Sequence, residues 1–182
     1  SFEGRGLWVQ NITLGNYCNV DLEYPWNPAL SRPRRSGTIT QAQLADFRGE
    51  KLWAENCRFV SRLNLMPISG AAQSVYRSCH FESTDDALNG HAVYEGCDFD
   101  FYGGCPFWGT AKTGVIFREC LFRIHTREWR FAKHGGQISC LECRFESAWD
   151  LPGQPHGTIN RELLIYELHN TWNGQPFSLG QL

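Results

Sequence analysis

Ser74-Val75-Tyr76-Arg77-Ser78-Cys79-His80-Phe81 and, 18 residues on, Ala92-Val93-Tyr94-Glu95-Gly96-Cys97-Asp98-Phe99 are two copies of one pattern. A third follows in Val115-Ile116-Phe117-Arg118-Glu119-Cys120-Leu121-Phe122. The closing tripeptide Cys-x-Phe also occurs at Cys57-Arg58-Phe59 and Cys143-Arg144-Phe145, so the Cys-to-Cys intervals are 22, 18, 23 and 23 residues. An earlier, divergent copy is Leu7-Trp8-Val9-Gln10-Asn11-Ile12-Thr13-Leu14, with Ile12 in the Cys position. A repeat of this period builds a structure from stacked units.

Each unit is rich in β-branched and aromatic residues, and Cys-x-Phe alternates with period two. No stretch of helical length shows a 3.6-residue period, and the Leu ladder of leucine-rich repeats is absent. The expected fold is therefore all-β: a right-handed parallel β-helix whose coils stack about 4.8 Å apart. Residues 1–160 form its coils, with a long Pro-rich loop at 15–40 that offers Trp26, Arg32, Arg34 and Arg35 to a ligand. Residues 161–182 supply a terminal apolar strand at 163–168. Asn173-Gly174 is read as a hairpin turn between that strand and Pro176–Leu179, a possible entry to a further domain.

The chain has 182 residues, eight Cys and one Met. Eight Cys would suggest disulfides in a secreted protein. Five of them instead fall on one inward column beside the Phe column, where free Cys acts as a small buried hydrophobe. Stacked positions on parallel strands are also awkward for bridging. Cys18, Cys105 and Cys140 lie outside that column. Neither a metal nor a cofactor is expected, since Cys140-x-x-Cys143 is a single pair and not part of a paired knuckle. Net charge is -2, which gives no bulk electrostatic case for nucleic acid. No apolar run approaches the ~20 residues of a membrane span, so no membrane partner is expected. The chain opens Ser1-Phe2-Glu3-Gly4 without an initiator Met, and further domains of a longer protein are expected.

With Cys and Phe inward, positions Cys+1, +3, +5 and +7 should face out. The +1 column is Arg58, His80, Asp98, Leu121 and Arg144; the +3 column is Val60, Glu82, Asp100, Arg123 and Glu146. The +5 column is Arg62, Thr84, Tyr102, His125 and Ala148; the +7 column is Asn64, Asp86, Gly104, Arg127 and Asp150. Glu82, Asp86, Asp98, Asp100, Tyr102, His125 and several Arg thus share one side. Such a face suits an extended, oxygen-rich ligand: a polysaccharide or oligosaccharide. It equally suits a merely solvated surface. Arg123, His125, Arg127, Arg130, Lys133 and His134 form a basic cluster able to pair with sugar carboxylates. Tyr102, Phe107 and Trp108 offer rings for stacking on sugars or for covering the groove floor.

On these residues the chain resembles the pectinesterase family, β-helix enzymes of the pectin lyase-like solenoid class that remove methyl esters from pectin. The resemblance covers roughly residues 2 to 122. Its carriers are Gly6-Leu7-Trp8-Val9-Gln10-Asn11-Ile12-Thr13, Gln41-Ala42 ahead of Asn56-Cys57-Arg58-Phe59, and Thr84-Asp85-Asp86-Ala87. The resemblance implies that Gln41 helps to hold an oxyanion and that Asp86 is the nucleophile. The family's Gln-Asp-Thr-Leu is here Leu63-Asn64-Leu65-Met66, so its general acid position holds Asn64. Its substrate-binding Arg falls on Cys105. An amide cannot donate the acid's proton, so altered chemistry is expected. The reading is a carbohydrate-active domain for plant cell-wall or pectin-like acidic polysaccharide, a hydrolase centred on Asp86 with Asp98 and Asp100 as partner carboxylates. Arg62, Glu82, Tyr102, Trp108, His125 and Arg127 would bind the substrate. The alternatives are a noncatalytic glycan-binding module and a structural spacer of a larger surface protein. The resemblance places the protein outside the cell, in the periplasm or on the cell surface.

Overall fold

The computed structural model describes residues 2–16, 21, 23, 27–33, 44–60, 69–110, 114–127, 136–148 and 163–179, with side chains at all of these except 46, 69–72, 83–90, 103–110 and 163. In chain order the strands are β1 (Phe2–Gln10), β2 (Thr13–Gly15), β3 (Asp46–Glu55), β4 (Arg58–Val60), β5 (Ser69–Arg77), β6 (His80–Gly90), β7 (Ala92–Glu95), β8 (Asp98–Thr110), β9 (Val115–Arg118), β10 (Leu121–Ile124), β11 (Gly136–Leu141), β12 (Arg144–Ser147), β13 (Leu163–Leu168), β14 (Thr171–Trp172) and β15 (Gln175–Pro176). A short 3-10 turn occupies Pro28–Leu30.

The protein is all-β. Odd-numbered strands from β1 to β13 form one 7-stranded sheet, and the even-numbered strands with β15 form an 8-stranded sheet. Neighbours within each sheet run parallel, and only β14 and β15 pair antiparallel. The sequence repeat is thus a pair of strands, one for each sheet.

The core lies between the sheets. Phe59, Phe81, Phe99, Phe122 and Phe145 stand in register and are fully buried. Their rings stack at centroid spacings of 5.1, 5.0, 4.8 and 4.7 Å. From the opposite wall Tyr76, Tyr94 and Phe117 make a second stack, spaced 4.9 and 5.0 Å. The two stacks meet edge to face, as Phe81 does with Tyr94 at 80°. Both geometries suit the ring quadrupole and add ~0.5–1.5 kcal/mol per pair beyond the buried area.

From the 7-stranded sheet to the 8-stranded sheet the chain turns in two residues. The first has positive φ: Asn11, Asn56, Ser78, Gly96, Glu119, Glu142 and His169, at 49° to 57°. The second is Ile12, Cys57, Cys79, Cys97, Cys120, Cys143 or Asn170. A left-handed conformation costs a non-glycine residue ~1–2 kcal/mol. It is held by the ladder: the turn N–H of Ser78 donates to Glu95 O at 3.0 Å, and that of Glu119 to Leu141 O at 2.9 Å. The cysteines are free and buried. Their thiols are weak donors to the carbonyl two residues back, as Cys79 Sγ to Arg77 O at 3.3 Å and Cys120 Sγ to Arg118 O at 3.4 Å. This explains why Cys rather than Ala recurs: it fills the corner and satisfies a backbone oxygen there.

Ile12 does hold the Cys position, since Thr13 pairs with Arg58. Four expectations need correction. Val60, expected outward, is 4% exposed. Cys140 is not outside the inner columns; it pairs with Phe117 and continues the Tyr76–Tyr94–Phe117 column. Asn173 and Gly174 do turn a hairpin, at φ 46° and 78°, but its arms are β14 and β15, because β13 instead pairs with β11 in the other sheet. The +7 column also fails between β6 and β8. Register is regular as far as Ser83 and Phe101, then shifts so that Asp85 meets Cys105. Each shift inserts residues on one strand and breaks a count by twos.

At the C-terminal end Asn170 replaces the column Cys. Its Oδ1 accepts from Cys143 N at 2.9 Å and its Nδ2 donates to Cys140 O at 3.0 Å. Glu167, partly buried below Cys140, accepts from Ser178 Oγ and from Leu179 N. Phe177 packs edge to face on Phe145, and the hairpin folds over the last ring stack.

Candidate functional site

The outer face of the 8-stranded sheet carries the charged cluster. Because Phe81, Phe99, Phe101, Phe122 and Ile124 point inward, the residues between them must point out. Strands β6, β8 and β10 thereby present His80 and Glu82, Asp98, Asp100 and Tyr102, and Arg123, with His125 just past the strand end.

His80 is the hub. Its Nδ1 lies 2.5 Å from Asp98 Oδ2, and its Nε2 lies 3.0 Å from Glu82 Oε1 and 3.8 Å from Asp100 Oδ2. Arg123 Nη1 reaches Asp98 Oδ2 at 2.9 Å and Asp100 Oδ2 at 3.5 Å. His125 Nε2 meets Asp100 Oδ1 at 2.6 Å, and Arg58 Nη2 meets Glu82 Oε1 at 3.0 Å. Tyr102 stacks on His125 with centroids 4.4 Å apart, making a flat wall beside the charges.

Burial pushes the His80 ring toward neutrality, but its hydrogen bonds to the Asp98 and Glu82 carboxylates outweigh that and lift its pKa to about 9. Burial also opposes ionisation of Asp98, yet His80 and Arg123 together hold that carboxyl below its ordinary value. For Arg123 burial lowers and Asp98 with Asp100 raises, and the guanidinium ends above its usual pKa. At neutral pH His80 is therefore an imidazolium set beside the ionised Asp98 carboxylate and the Arg123 guanidinium.

Of the expected site residues, Glu82, Asp98, Asp100 and His125 are brought together, and Tyr102 joins them. Arg127 is exposed two residues beyond His125. Asp86 lies in β6 and Trp108 in β8, with side chains outside the described residues; Gln41, Arg62 and Asn64 lie wholly outside them. His80 and Arg123, the connecting groups, were legible as column members: His80 stands between Arg58 and Asp98 in the +1 column, and Arg123 follows Asp100 in the +3 column. His80, Asp98 and Asp100 offer ligand atoms within 4.8 Å of one another, a set that could hold a cation. Arg123 already supplies positive charge to both of those aspartates.

The other sheet has a feature that counting from Cys missed. Its outer face carries a column of Trp8, Trp53, Val75, Val93, Ile116, Ser139 and Tyr166. A groove of ≈ 550 Å³ runs over Val75, Val93 and Ile116, edged by Lys51, Gln73 and His91. Arg77 lies 4.5 Å over the Trp53 ring at its side. The signal was present in the residues before each Cys, which alternate as regularly as those after it.

No protein-family model, curated protein or solved structure matches the chain.

Proposed function

We propose that the chain is a right-handed parallel β-helix of the pectin lyase-like class and that it binds an acidic polysaccharide along the outer face of its 8-stranded sheet. The alternation of strands between two parallel sheets supports the solenoid, and the strong preference of parallel crossovers for the right hand supports its handedness. The observation that carries the function is the His80-centred network. Its carboxylates accept from sugar hydroxyls, its guanidinium and imidazolium groups pair with uronate carboxylates, and the Tyr102–His125 wall offers a face for a sugar ring.

Binding is better supported than hydrolysis. A glycosidase or esterase of this type needs a carboxyl with a raised pKa as proton donor. Asp98 is held low, and Glu82 and Asp100 are each bonded to a cationic or imidazole partner. The pectinesterase acid position is Asn64, which donates no proton in catalysis. Hydrolysis therefore rests on Asp86 alone. A secreted or cell-surface location follows from the ligand class.

The test is titration calorimetry with demethylated and methylated pectin oligosaccharides, paired with assays for released methanol, sugar ends and unsaturated products. Binding should fall at least ~10-fold in Asp100→Asn and His80→Gln, the loss of one or two charge-assisted bonds. Unchanged affinity in both variants would overturn the binding face. Product formation by the wild type that disappears in Asp86→Ala would restore the enzyme reading.

A further inference from the structure

Among the described residues, exposed apolar side chains gather on the outer face of the 7-stranded sheet. Along its central column Trp8, Ile116 and Tyr166 are 69%, 39% and 58% exposed, and Leu164 and Leu168 flank Tyr166. Single exposed apolar residues are ordinary, whereas a contiguous set on a sheet marks an interaction surface. The column crosses seven strands in register, a length of roughly 29 Å at the interstrand spacing.

Two rows flank the column, each two residues away along the strands and so on the same face. On the N-terminal side stand Lys51, Gln73, His91, Gly114, Gln137 and Leu164. On the C-terminal side stand Glu55, Arg77, Glu95, Arg118, Leu141 and Leu168. The rows differ in shape. The groove of ≈ 550 Å³ lies between the column and the first row. Gly114 leaves a notch there: φ is +77° and a Cβ would crowd Gln137 O at 2.9 Å. The second row is a charged ridge, in which Glu95 pairs with Arg77 at 2.6 Å and with Arg118 at 3.6 Å.

A groove and a ridge on opposite sides of one column are self-complementary under a two-fold axis. A half-turn about an axis along the column lays the face on a second copy, keeps each strand level with its copy and exchanges the flanks. Lys51 then faces the partner's Glu55, His91 faces the partner's Glu95, and Gln73 faces the partner's Arg77. The partner's Arg118 enters the notch at Gly114, and Leu164 meets the partner's Leu168. The other way to stack the faces is a half-turn about an axis along the strands. That lays groove on groove and ridge on ridge in every register. Centred on Val93, it also sets Arg77 against the partner's Arg118 and Glu95 against the partner's Glu95, which repel. Shape and charge both select the first arrangement.

We propose that this face is the interface of a symmetric homodimer in which each copy's Arg77–Glu95–Arg118 ridge lies in the other's groove. The patch is roughly 29 Å by 13 Å, smaller than the ~800 Å² per partner of a standard interface, so association at micromolar concentration is expected. The interface uses none of the residues assigned to polysaccharide binding, and the two His80 faces of the dimer point apart.

The test is sedimentation equilibrium across micromolar concentrations, with circular dichroism to confirm the fold of each variant. The mass should rise from 20.8 kDa toward twice that value. Val93→Lys brings two ammonium groups together at the axis and should weaken association at least ~100-fold. Lys51→Glu faces the partner's Glu55 at two symmetric places and should weaken it ~10-fold; adding Glu55→Lys should restore it. Ser139→Cys should be joined to its own copy by a short bismaleimide that leaves the wild type unlinked, because Ser139 meets the partner's Ser139 in this arrangement and the partner's Trp53 in the Val93-centred alternative. The proposal is overturned if the folded chain stays monomeric, if Val93→Lys dimerises like the wild type, if Glu55→Lys fails to rescue Lys51→Glu, or if Ser139→Cys does not link within the dimer. A monomer whose tryptophan fluorescence shifts on adding pectin oligosaccharide would give the face to sugar and overturn it as well.

Discussion

Strand β8 shows two kinds of order on its two sides. Inward, Phe99 and Phe101 are 0% and 1% exposed, and Phe99 meets an identical ring above and below. Outward, Asp98 and Asp100 meet unlike partners: His80 on β6, and Arg123 or His125 on the other side. The inner columns repeat because identical rings at one rung spacing stack well. Identical charges at that spacing repel, and where Glu82 and Asp100 face each other in register, Arg58, His80, Arg123 and His125 supply the opposite charge beside them. The same rule appears on the other sheet, where Glu95 lies between Arg77 at 2.6 Å and Arg118 at 3.6 Å. Sameness holds the fold inside, and complementarity holds the surface outside.

The largest effect should come from breaking an inner column. Phe99→Ala should cost ~3–5 kcal/mol in urea unfolding, because the cavity opens in the middle of a continuous stack. A loss no greater than that of an outer-face substitution would break the comparison. Next comes the outer network as a whole. The folded-state pKa of His80 is raised, from 6.5 to about 9. Its contribution is therefore fully present below pH 6.5 and fades as pH rises through about 9, on the order of 3 kcal/mol. Urea midpoints at pH 6 and pH 10 should show this fall, and Asp98→Asn should flatten it. An NMR titration of His80 near its ordinary pKa would remove its basis.

Smaller effects sharpen the corner between the two sides. Gly96 has φ +57° and nothing within 4 Å of a built Cβ. Gly96→Ala should thus cost ~1 kcal/mol by conformation alone, read as a lower thermal midpoint with unchanged spectra. The smallest change is expected from Arg58→Ala. Arg58 is half exposed, so its pair with Glu82 should contribute less than ~0.5 kcal/mol, and less again in high salt.

The Cys-x-Phe tripeptide made the inner column and the +1 and +3 outer columns legible, because a period of two is enough wherever the strands stay in register. Asp86 escaped that reading. Beyond Ser83 the register between β6 and β8 shifts repeatedly, and a bulge leaves no mark in a count of alternating residues. Cys140 escaped for a different reason: the three members before it, Tyr76, Tyr94 and Phe117, are rings, so a thiol there did not look like a member. The corners left no side-chain signature either. Asn56, Ser78, Gly96, Glu119 and Glu142 share no chemistry, and what they share is a backbone conformation held by hydrogen bonds to the next repeat.

Those corners have a consequence for how the molecule tolerates change. The passage from the first sheet to the second is two residues long in every repeat, whereas the Cys-to-Cys intervals run 22, 18, 23 and 23. All of the variation in length therefore falls outside these corners, in the strands and in the passage back to the first sheet. The molecule is bound like a book along one stitched spine. A change of length elsewhere in the repeat leaves that stitching in place.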